Sequence, residues 1–304
     1  MRDTEIETAG TRMRQVMNNA PHPFPADERQ DVLQLDGFKL VSTRYRPGRV
    51  MEPHSHGHSN ITLVLAGRID ECLGGCRVDA SSTSFVIKPG GTLHSNRFGP
   101  SPVFSFMMEL DPGREADIGF DRIRDAAWSS AGPACAVLIE LFRELQSESS
   151  NIEGTVLTGL TEVVERVLHS TKQQREQKLG PTAKRRLNQA VRILHESHTP
   201  MSSSKDLARR VGLHPVYLAR LFRRGLGQGI SEYGRRLAVR RAASQLTDAV
   251  SSQADIAAEV GFADQSHMSR AFRRELGLPP GAFKRLVLDT YVVSSVQEIE
   301  LTAG

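Results

Sequence analysis

The sequence predicts an α+β protein: an antiparallel barrel of short strands with helices after it, then an all-α half built on a tandem repeat. Three observations carry this reading. Short apolar runs separated by turn signals occupy residues 38–109, and helical periodicity replaces them after Asp111-Pro112-Gly113. The stretch from Ser203 to Gly277 contains one design twice. Ser203-Ser204-Lys205-Asp206-Leu207-Ala208 returns as Ser252-Gln253-Ala254-Asp255-Ile256-Ala257 at an offset of 49, and Val211-Gly212-Leu213 returns as Val260-Gly261-Phe262. At an offset of 50, Phe222-Arg223-Arg224 returns as Phe272-Arg273-Arg274 and Leu226-Gly227 as Leu276-Gly277. A fixed-period match exposes the structural unit. Here the unit reads helix, tight turn, helix.

At 304 residues, with 39% hydrophobic and 24% charged residues, the chain has room for two domains with separate cores. No stretch approaches the roughly 20 apolar residues needed to span a bilayer. Met1 to Ala20 is polar, without the apolar centre of a signal peptide, so a cytoplasmic protein with no membrane partner is expected. Cys72, Cys76 and Cys135 are too few and too scattered for a disulfide framework. Cys72 and Cys76 could meet on a hairpin, where reduced thiols are expected. The net charge of +4 conceals an asymmetry: residues 1–180 carry 20 Lys+Arg against 24 Asp+Glu, and residues 181–304 carry 19 against 11. An acidic half followed by a basic one points to a polyanion partner for the second half, or to a solvated basic face.

In order along the chain, residues 1–30 read as an arm, with Pro21, Pro23 and Pro25 forbidding helix. The barrel, residues 31–111, draws on the runs Phe38-Lys39-Leu40-Val41, Ile61 to Leu65, Ser84 to Ile87 and Val103 to Met107. Turn signals such as Pro47-Gly48, Gly74-Gly75 and Pro89-Gly90-Gly91 separate them. Residues 112–178 follow as a helical region. Ala134, Val137, Leu138, Leu141, Phe142 and Leu145 fall on one face, and Val156, Leu157, Leu160, Val163, Val164, Val167 and Leu168 on another. These two helices either cap the barrel or pair with a second subunit. Polar Thr171 to Lys178 marks the domain boundary. Residues 182–286 read as all helix, opening with a helix over Ala183–Glu196 and including a long connecting helix over Ser231–Leu246, and residues 287–304 form a tail without assignment.

Each repeat opens with Ser-x-x-Asp, in which the serine caps the helix and the aspartate sits in the positive first turn. Each has a glycine for the tight turn with an apolar residue after it. In the second helices, Leu218, Leu221 and Phe222 face inward, as do Met268, Ala271 and Phe272. That leaves Val216, Ala219, Arg220 and Arg223 outward in the first copy, and Gln265, Ser266, Ser269, Arg270 and Arg273 in the second. Arg, Gln and Ser on an exposed helix suit base edges and phosphates. The bland alternative is a helical bundle with an arginine-rich surface; two copies in a basic segment favour DNA binding.

These residues closely resemble the AraC/XylS family of bacterial transcriptional regulators over about 100 residues. The likeness is most specific at Asp255-Ile256-Ala257, Val260-Gly261-Phe262, Ser269 to Arg274, Gly277 and Pro280. The resemblance implies two helix-turn-helix subdomains joined by a linker helix, reading two successive major grooves of promoter DNA. It assigns base reading to Val216, Ala219 and Arg220, then Gln265, Ser266, Ser269 and Arg270. Ala238 and Gln245 depart from the arginine and leucine common in the linker. Apolar Val216 and Ala219 point to thymine methyl and shape readout in the first copy.

A second resemblance lies in the first half. Gly48, His54, His56, Asn60 and Gly67 are spaced as in the first cupin motif, with Asn60 where metal-binding cupins have glutamate. Pro89-Gly90-Gly91 and His94 resemble the second motif, with Thr83 in place of its leading glycine and Phe98 in place of its final asparagine. The likeness implies a small barrel whose mouth gathers His54, His56 and His94, with Asn60, as an effector pocket. Three neutral imidazoles could also hold Zn, Fe, Mn or Ni. Pocket lining without any cofactor is the expectation, and His58 is expected on an exposed loop.

Two functions compete. In the first, a non-enzymatic one-component regulator, most simply an activator, senses a small molecule in the barrel. It forms a homodimer, binds promoter DNA with its basic half and engages RNA polymerase. In the second, a cupin-type metalloenzyme carries an accessory DNA-binding tail. No Walker-type loop, HExxH or nucleophile-elbow pattern supports another enzyme class.

Overall fold

The computed structural model describes residues 30–146, 151–176, 179–197, 204–248 and 251–288. The expected arm up to residue 29, Ser203 at the head of the first repeat, and the tail from Asp289 lie outside them. Among the described residues the strands are β1 (Gln30–Leu35), β2 (Phe38–Tyr45), β3 (Val50–His54), β4 (Ser59–Ala66), β5 (Arg68–Leu73), β6 (Cys76–Ser81), β7 (Ser84–Lys88), β8 (His94–Phe98), β9 (Val103–Leu110) and β10 (Ala127–Ser130). They pair antiparallel in two sheets, of order β1-β2-β9-β4-β7-β10 and β3-β8-β5-β6.

The four runs legible in the sequence are β2, β9, β4 and β7, consecutive neighbours in the larger sheet. That sheet is buried on both faces. Val64, Val86 and Val103 pack on Ile69, Val78 and Phe98 of the smaller sheet. Leu63, Phe85, Ile87 and Phe106 pack the other way, in the core that holds Leu138, Phe142, Leu160 and Val163. Two buried faces remove the polar alternation and leave continuous apolar runs. The smaller sheet buries one face, so β3, β5, β6 and β8 carry too few apolar residues to announce themselves.

Between β6 and β7 the chain turns through Thr83 with φ of 64°, a left-handed conformation at the position where the motif has glycine. Backbone bonds hold the turn: Thr83 N–H donates to Val64 O at 2.8 Å, and Thr83 O accepts from Ala131 N–H at 2.8 Å.

The amphipathic helices pack onto the sheets within the chain, Phe142 meeting Phe104 and Phe106 with ring centroids 5.8 and 5.0 Å apart. Helices α1 (Pro133–Leu145) and α2 (Ile152–Glu176) lie on the larger sheet. Helix α2 runs through the first part of the expected boundary stretch, to Glu176, and the next helix starts at Pro181; Thr171 Oγ1 donates to Val167 O at 2.9 Å within α2. Lys, Gln, Arg and Glu are good helix formers, so a polar stretch can continue a helix.

The remaining helices are α3 (Pro181–Glu196), α4 (Ser204–Arg210), α5 (Pro215–Leu226), α6 (Ile230–Asp248), α7 (Gln253–Val260), α8 (Gln265–Leu276) and α9 (280–288). The turn glycines Gly212 and Gly261 have φ of 66° and 97°, and the capping glycines Gly227 and Gly277 have 68° and 79°. Both copies need glycine at the same two places. The linker α6 divides its apolar residues between two cores. Ile230 and Leu237 join Leu207, Leu218 and Phe222 of the first unit, whereas Val239, Ala242 and Leu246 join Ile256, Met268 and Phe272 of the second. The second unit's core is continuous with that of the barrel and its helices. No described helix is long and apolar enough to cross a membrane.

Candidate nucleic-acid interface and histidine pocket

Each helix-turn-helix unit begins with a short helix whose one apolar face anchors it: Leu207 and Ala208 in α4, Ile256 and Ala257 in α7. In α7, Ser252 Oγ accepts from Asp255 N–H at 3.2 Å, the capping bond of the Ser-x-x-Asp pattern, and donates to Asp255 Oδ2 at 2.6 Å. The second helices then diverge at their caps. His214 Nδ1 accepts from Val216 N–H at 3.3 Å, and Asp264 Oδ1 accepts from His267 N–H at 2.6 Å.

Helix α5 buries Leu218, Leu221 and Phe222, and α8 buries Met268, Ala271 and Phe272. Arg220, Arg223, Gln265, Ser266, Arg270 and Arg273 stand exposed, and Val216 is 60% exposed. Two expected readers sit lower. Ser269 is half-buried, and Ala219 packs against the first unit's core instead of facing freely outward. Tyr217, 40% exposed with the Arg220 guanidinium 5.8 Å from its ring centroid, takes part of the surface assigned to Ala219. Arg224 and Arg274, also exposed, extend the basic edge. Tyr217 was readable, since it is adjacent to Val216 and outside the buried 218/221/222 face.

The basic charge of the second half is only partly available to a partner. Arg241 donates to Ser197 O, Leu194 O and His195 O at 2.7, 3.1 and 2.6 Å, closing the end of α3. Arg235 and Arg236 bind opposite oxygens of the buried Glu275 carboxylate at 2.6 and 3.1 Å. Arg240 is 7% exposed, and burial lowers its pKa. These arginines belong to the fold. Gln245, the linker departure, donates to Glu259 Oε2 of α7 at 3.1 Å.

In the barrel, His54 and His94 are register partners across β3 and β8. With His56 they form one cluster, ring centroids 4.3 Å apart for His54–His94 and 5.2 Å for the other two pairs. One ring nitrogen of each lies within 4.8 Å of the others. His54 Nδ1 contacts Glu52 O at 2.7 Å and His94 Nδ1 contacts Thr92 O at 2.9 Å. A carbonyl only accepts, so in the neutral tautomer of each ring Nδ1 carries the proton and Nε2 the lone pair. His54 Nε2 is buried without a protein partner. Burial first, then the charge of Lys88, pushes His94 down to about 3 and lowers His56, so both rings stay neutral at neutral pH. The donor set suits a hydroxyl-bearing ligand or a transition metal.

Asn60 is buried and is the register partner of Lys88, and its Oδ1 accepts from Thr62 Oγ1 at 3.4 Å. His58 is exposed beside Leu110 and Asp111, outside the cluster as expected. The buried ion pair Lys88–Glu71, 2.9 Å, escaped the sequence reading. Its signal was a charge at the apolar parity of Ile69-Glu71-Leu73 and of Val86-x-Lys88. Cys72 and Cys76 are free and exposed on the β5–β6 hairpin.

Residues 207–286 match the family described as Helix-turn-helix domain. A putative AraC-like transcription regulator of Streptomyces lividans is 35% identical over 96 residues, 32% of this chain and 32% of that protein. The transcriptional activator RhaR of Yersinia pestis is 26% identical over 186 residues, 61% of this chain and 63% of its own. The matched segment thus spans about a third of the first relative's length. Among solved structures, this chain is similar to KdgF of Halomonas sp. at a TM-score of 0.27 and 18% identity, over 29% of this chain and 84% of that one. ToxT of Vibrio cholerae is similar over 82% of this chain and 95% of its own at a TM-score of 0.36 and 9% identity.

Proposed function

We propose that this protein, whose C-terminal domain is an AraC/XylS-type double helix-turn-helix, regulates transcription by binding promoter DNA under the control of a small molecule held in its barrel. The observation that carries the proposal is the repeated pair of helices α5 and α8, each apolar beneath and bearing exposed arginines above. Side chains of this kind read base edges and clamp phosphates. Arg220 and Arg270 are the principal readers, with Val216, Ala219, Gln265, Ser266 and Ser269 beside them and Arg223 and Arg273 toward the backbone. The His54, His56, Asn60 and His94 pocket takes the effector. The protein works in the cytoplasm as a homodimer and, as an activator, engages RNA polymerase.

Site selection from random duplexes, followed by titration at fixed salt, tests this. Arg270→Ala should relax specificity and weaken operator binding by about 1–3 kcal/mol. The logarithm of affinity should fall against log salt with a slope of about 0.9 per phosphate contacted. Unchanged operator binding by both Arg220→Ala and Arg270→Ala would refute the assignment of readers.

The three convergent imidazoles support a second reading, a cupin-type metalloenzyme. It requires metal bound through His54, His56 and His94, which would supply Lewis-acid chemistry there. Metal analysis of tag-free protein decides: stoichiometric iron or zinc, lost in His54→Ala, favours it, and metal-free protein removes it.

A further inference from the structure

We infer that the two helix-turn-helix units divide the work on promoter DNA. The first grips phosphates through a cationic patch that joins the start of α3 to the last turn of α5, and the second supplies most of the base discrimination. The inference rests on the reading of this protein as a DNA-binding regulator.

The charge is unevenly shared between the units. Residues 181–229, which hold α3, α4 and α5, carry 10 Lys+Arg against 2 Asp+Glu, whereas residues 251–288, which hold α7, α8 and α9, carry 5 against 4. Both acids of the first unit are taken locally: Glu196 lies 3.7 Å from Arg192, and Asp206 accepts from Arg209. Lys184, Arg185 and Arg186 stand exposed on α3, as do Arg223 and Arg224 on α5. Among the described residues these five meet no carboxylate, and Arg186 donates to Gln189 Oε1 at 3.3 Å instead. The two helix ends form one patch because they touch. A Cβ on Gly225 would collide with Leu187 Cδ2, so the residue after Arg224 and the residue after Arg186 are in contact.

Helix ends explain only part of this arrangement. Arg223 and Arg224 suit the negative end of α5, but α3 has no acid in its first turn and sets Lys184, Arg185 and Arg186 near its positive end. Cations so placed repel one another and the helix dipole, a cost that a polyanion removes. The base-reading surfaces show the opposite bias. On α5, Val216 is apolar and Ala219 packs on the core, which leaves Arg220 beside Tyr217. On α8, Gln265, Ser266 and Arg270 all stand exposed, with groups that hydrogen-bond base edges. Arg223 and Arg224 follow Arg220 at helical spacing, so the patch is continuous with the reading face of α5. Phosphates carry no sequence information, so a unit built this way adds affinity and salt sensitivity rather than specificity.

The test is a fluorescence-anisotropy titration of tag-free full-length protein, over a series of salt concentrations, against its selected duplex and a scrambled one. Wild type is compared with Lys184→Gln/Arg185→Gln/Arg186→Gln, with Arg223→Gln/Arg224→Gln and with Arg270→Ala. The triple variant should reduce the salt slope by about 2–3 and weaken both duplexes alike, by about 10- to 100-fold near physiological salt. Its preference for the selected duplex should stay within about twofold of wild type. The Arg223/Arg224 variant should do the same with a slope reduced by about 1–2. Arg270→Ala should instead cut the preference about tenfold and change the slope by no more than about 1. Should the triple variant fail to fold, the Arg223/Arg224 variant removes charge from the other side of the same patch and must show the slope change. Unchanged slopes in the patch variants would overturn the inference and leave the patch to an acidic protein surface. It would equally fall if a patch variant lost discrimination as Arg270→Ala does, or if Arg270→Ala kept it. A selected duplex with unmoved slopes sinks only this inference; no selected duplex sinks the regulator reading itself.

Discussion

Thr83 and Glu275 show how much single residues hold in place. Thr83 occupies a left-handed turn with its hydroxyl buried and without a hydrogen-bond partner. Both features cost stability, and glycine removes both. Thr83→Gly should raise stability by about 1 kcal/mol in urea denaturation, since the strain it relieves exceeds the added chain entropy. Glu275 is 2% exposed and accepts from two arginines of α6, while its backbone carbonyl accepts from Gly132 N–H at 3.0 Å. Its side chain thus joins helix α8 to the linker, and its backbone joins α8 to the head of α1. Glu275→Ala leaves the largely buried Arg235 guanidinium without its carboxylate and Arg236 with Glu232 and Gln228 alone, and should destabilise by about 2 kcal/mol. No apolar pattern reveals such a residue, because a charge in a sequence looks the same whether solvated or paired.

At the scale of elements, the junction of α3 with α6 carries a proton-sensitive contact. His195 Nε2 contacts Tyr233 Oη at 2.8 Å, and Arg240 and Arg241 lie beside the ring. Burial, then Arg240 and Arg241, lowers His195 from 6.5 to about 4. The unfolded chain takes up this proton below about pH 6.5 and the folded chain resists it until about pH 4. The stabilisation is therefore complete above pH 6.5 and is lost as pH falls through that window. Denaturation at pH 7 and pH 5 should show a loss for wild type that His195→Gln reduces. The boundaries of α3 and of the linker were legible to within two residues from periodicity. The extension of α2 through Thr171 to Glu176 was not, because a polar helix end and a polar linker share a composition.

For the whole molecule, the division of the core matters more than the division of the chain. The first unit has a core of its own, whereas the second shares one with the barrel and its helices. Hydrogen exchange should accordingly protect Ile256, Ala257, Met268 and Phe272 together with the barrel, and Leu207, Val211 and Phe222 separately. Coincident exchange of the two helix-turn-helix units, apart from the barrel, would contradict this partition. Gly132, at φ of 91° with the Arg236 guanidinium 2.7–2.9 Å from where a Cβ would stand, marks the junction. Gly132→Val should raise exchange in the second unit first.

Repetition and periodicity were enough to read the double helix-turn-helix, its capping and turn glycines, the arginine-bearing helices and the four central strands. Each of these depends on local geometry or on a strong apolar face, which leaves a mark at fixed spacing. The cupin-like spacing likewise foretold that His54, His56 and His94 would gather. Tertiary structure alone decided that Lys88 and Glu71 pair beside those histidines, that four linker arginines serve the fold, that Ala219 yields surface to Tyr217, and that the second unit docks on the barrel. These are contacts between segments far apart in the chain, and a charged or small side chain carries no sign of the partner it will meet.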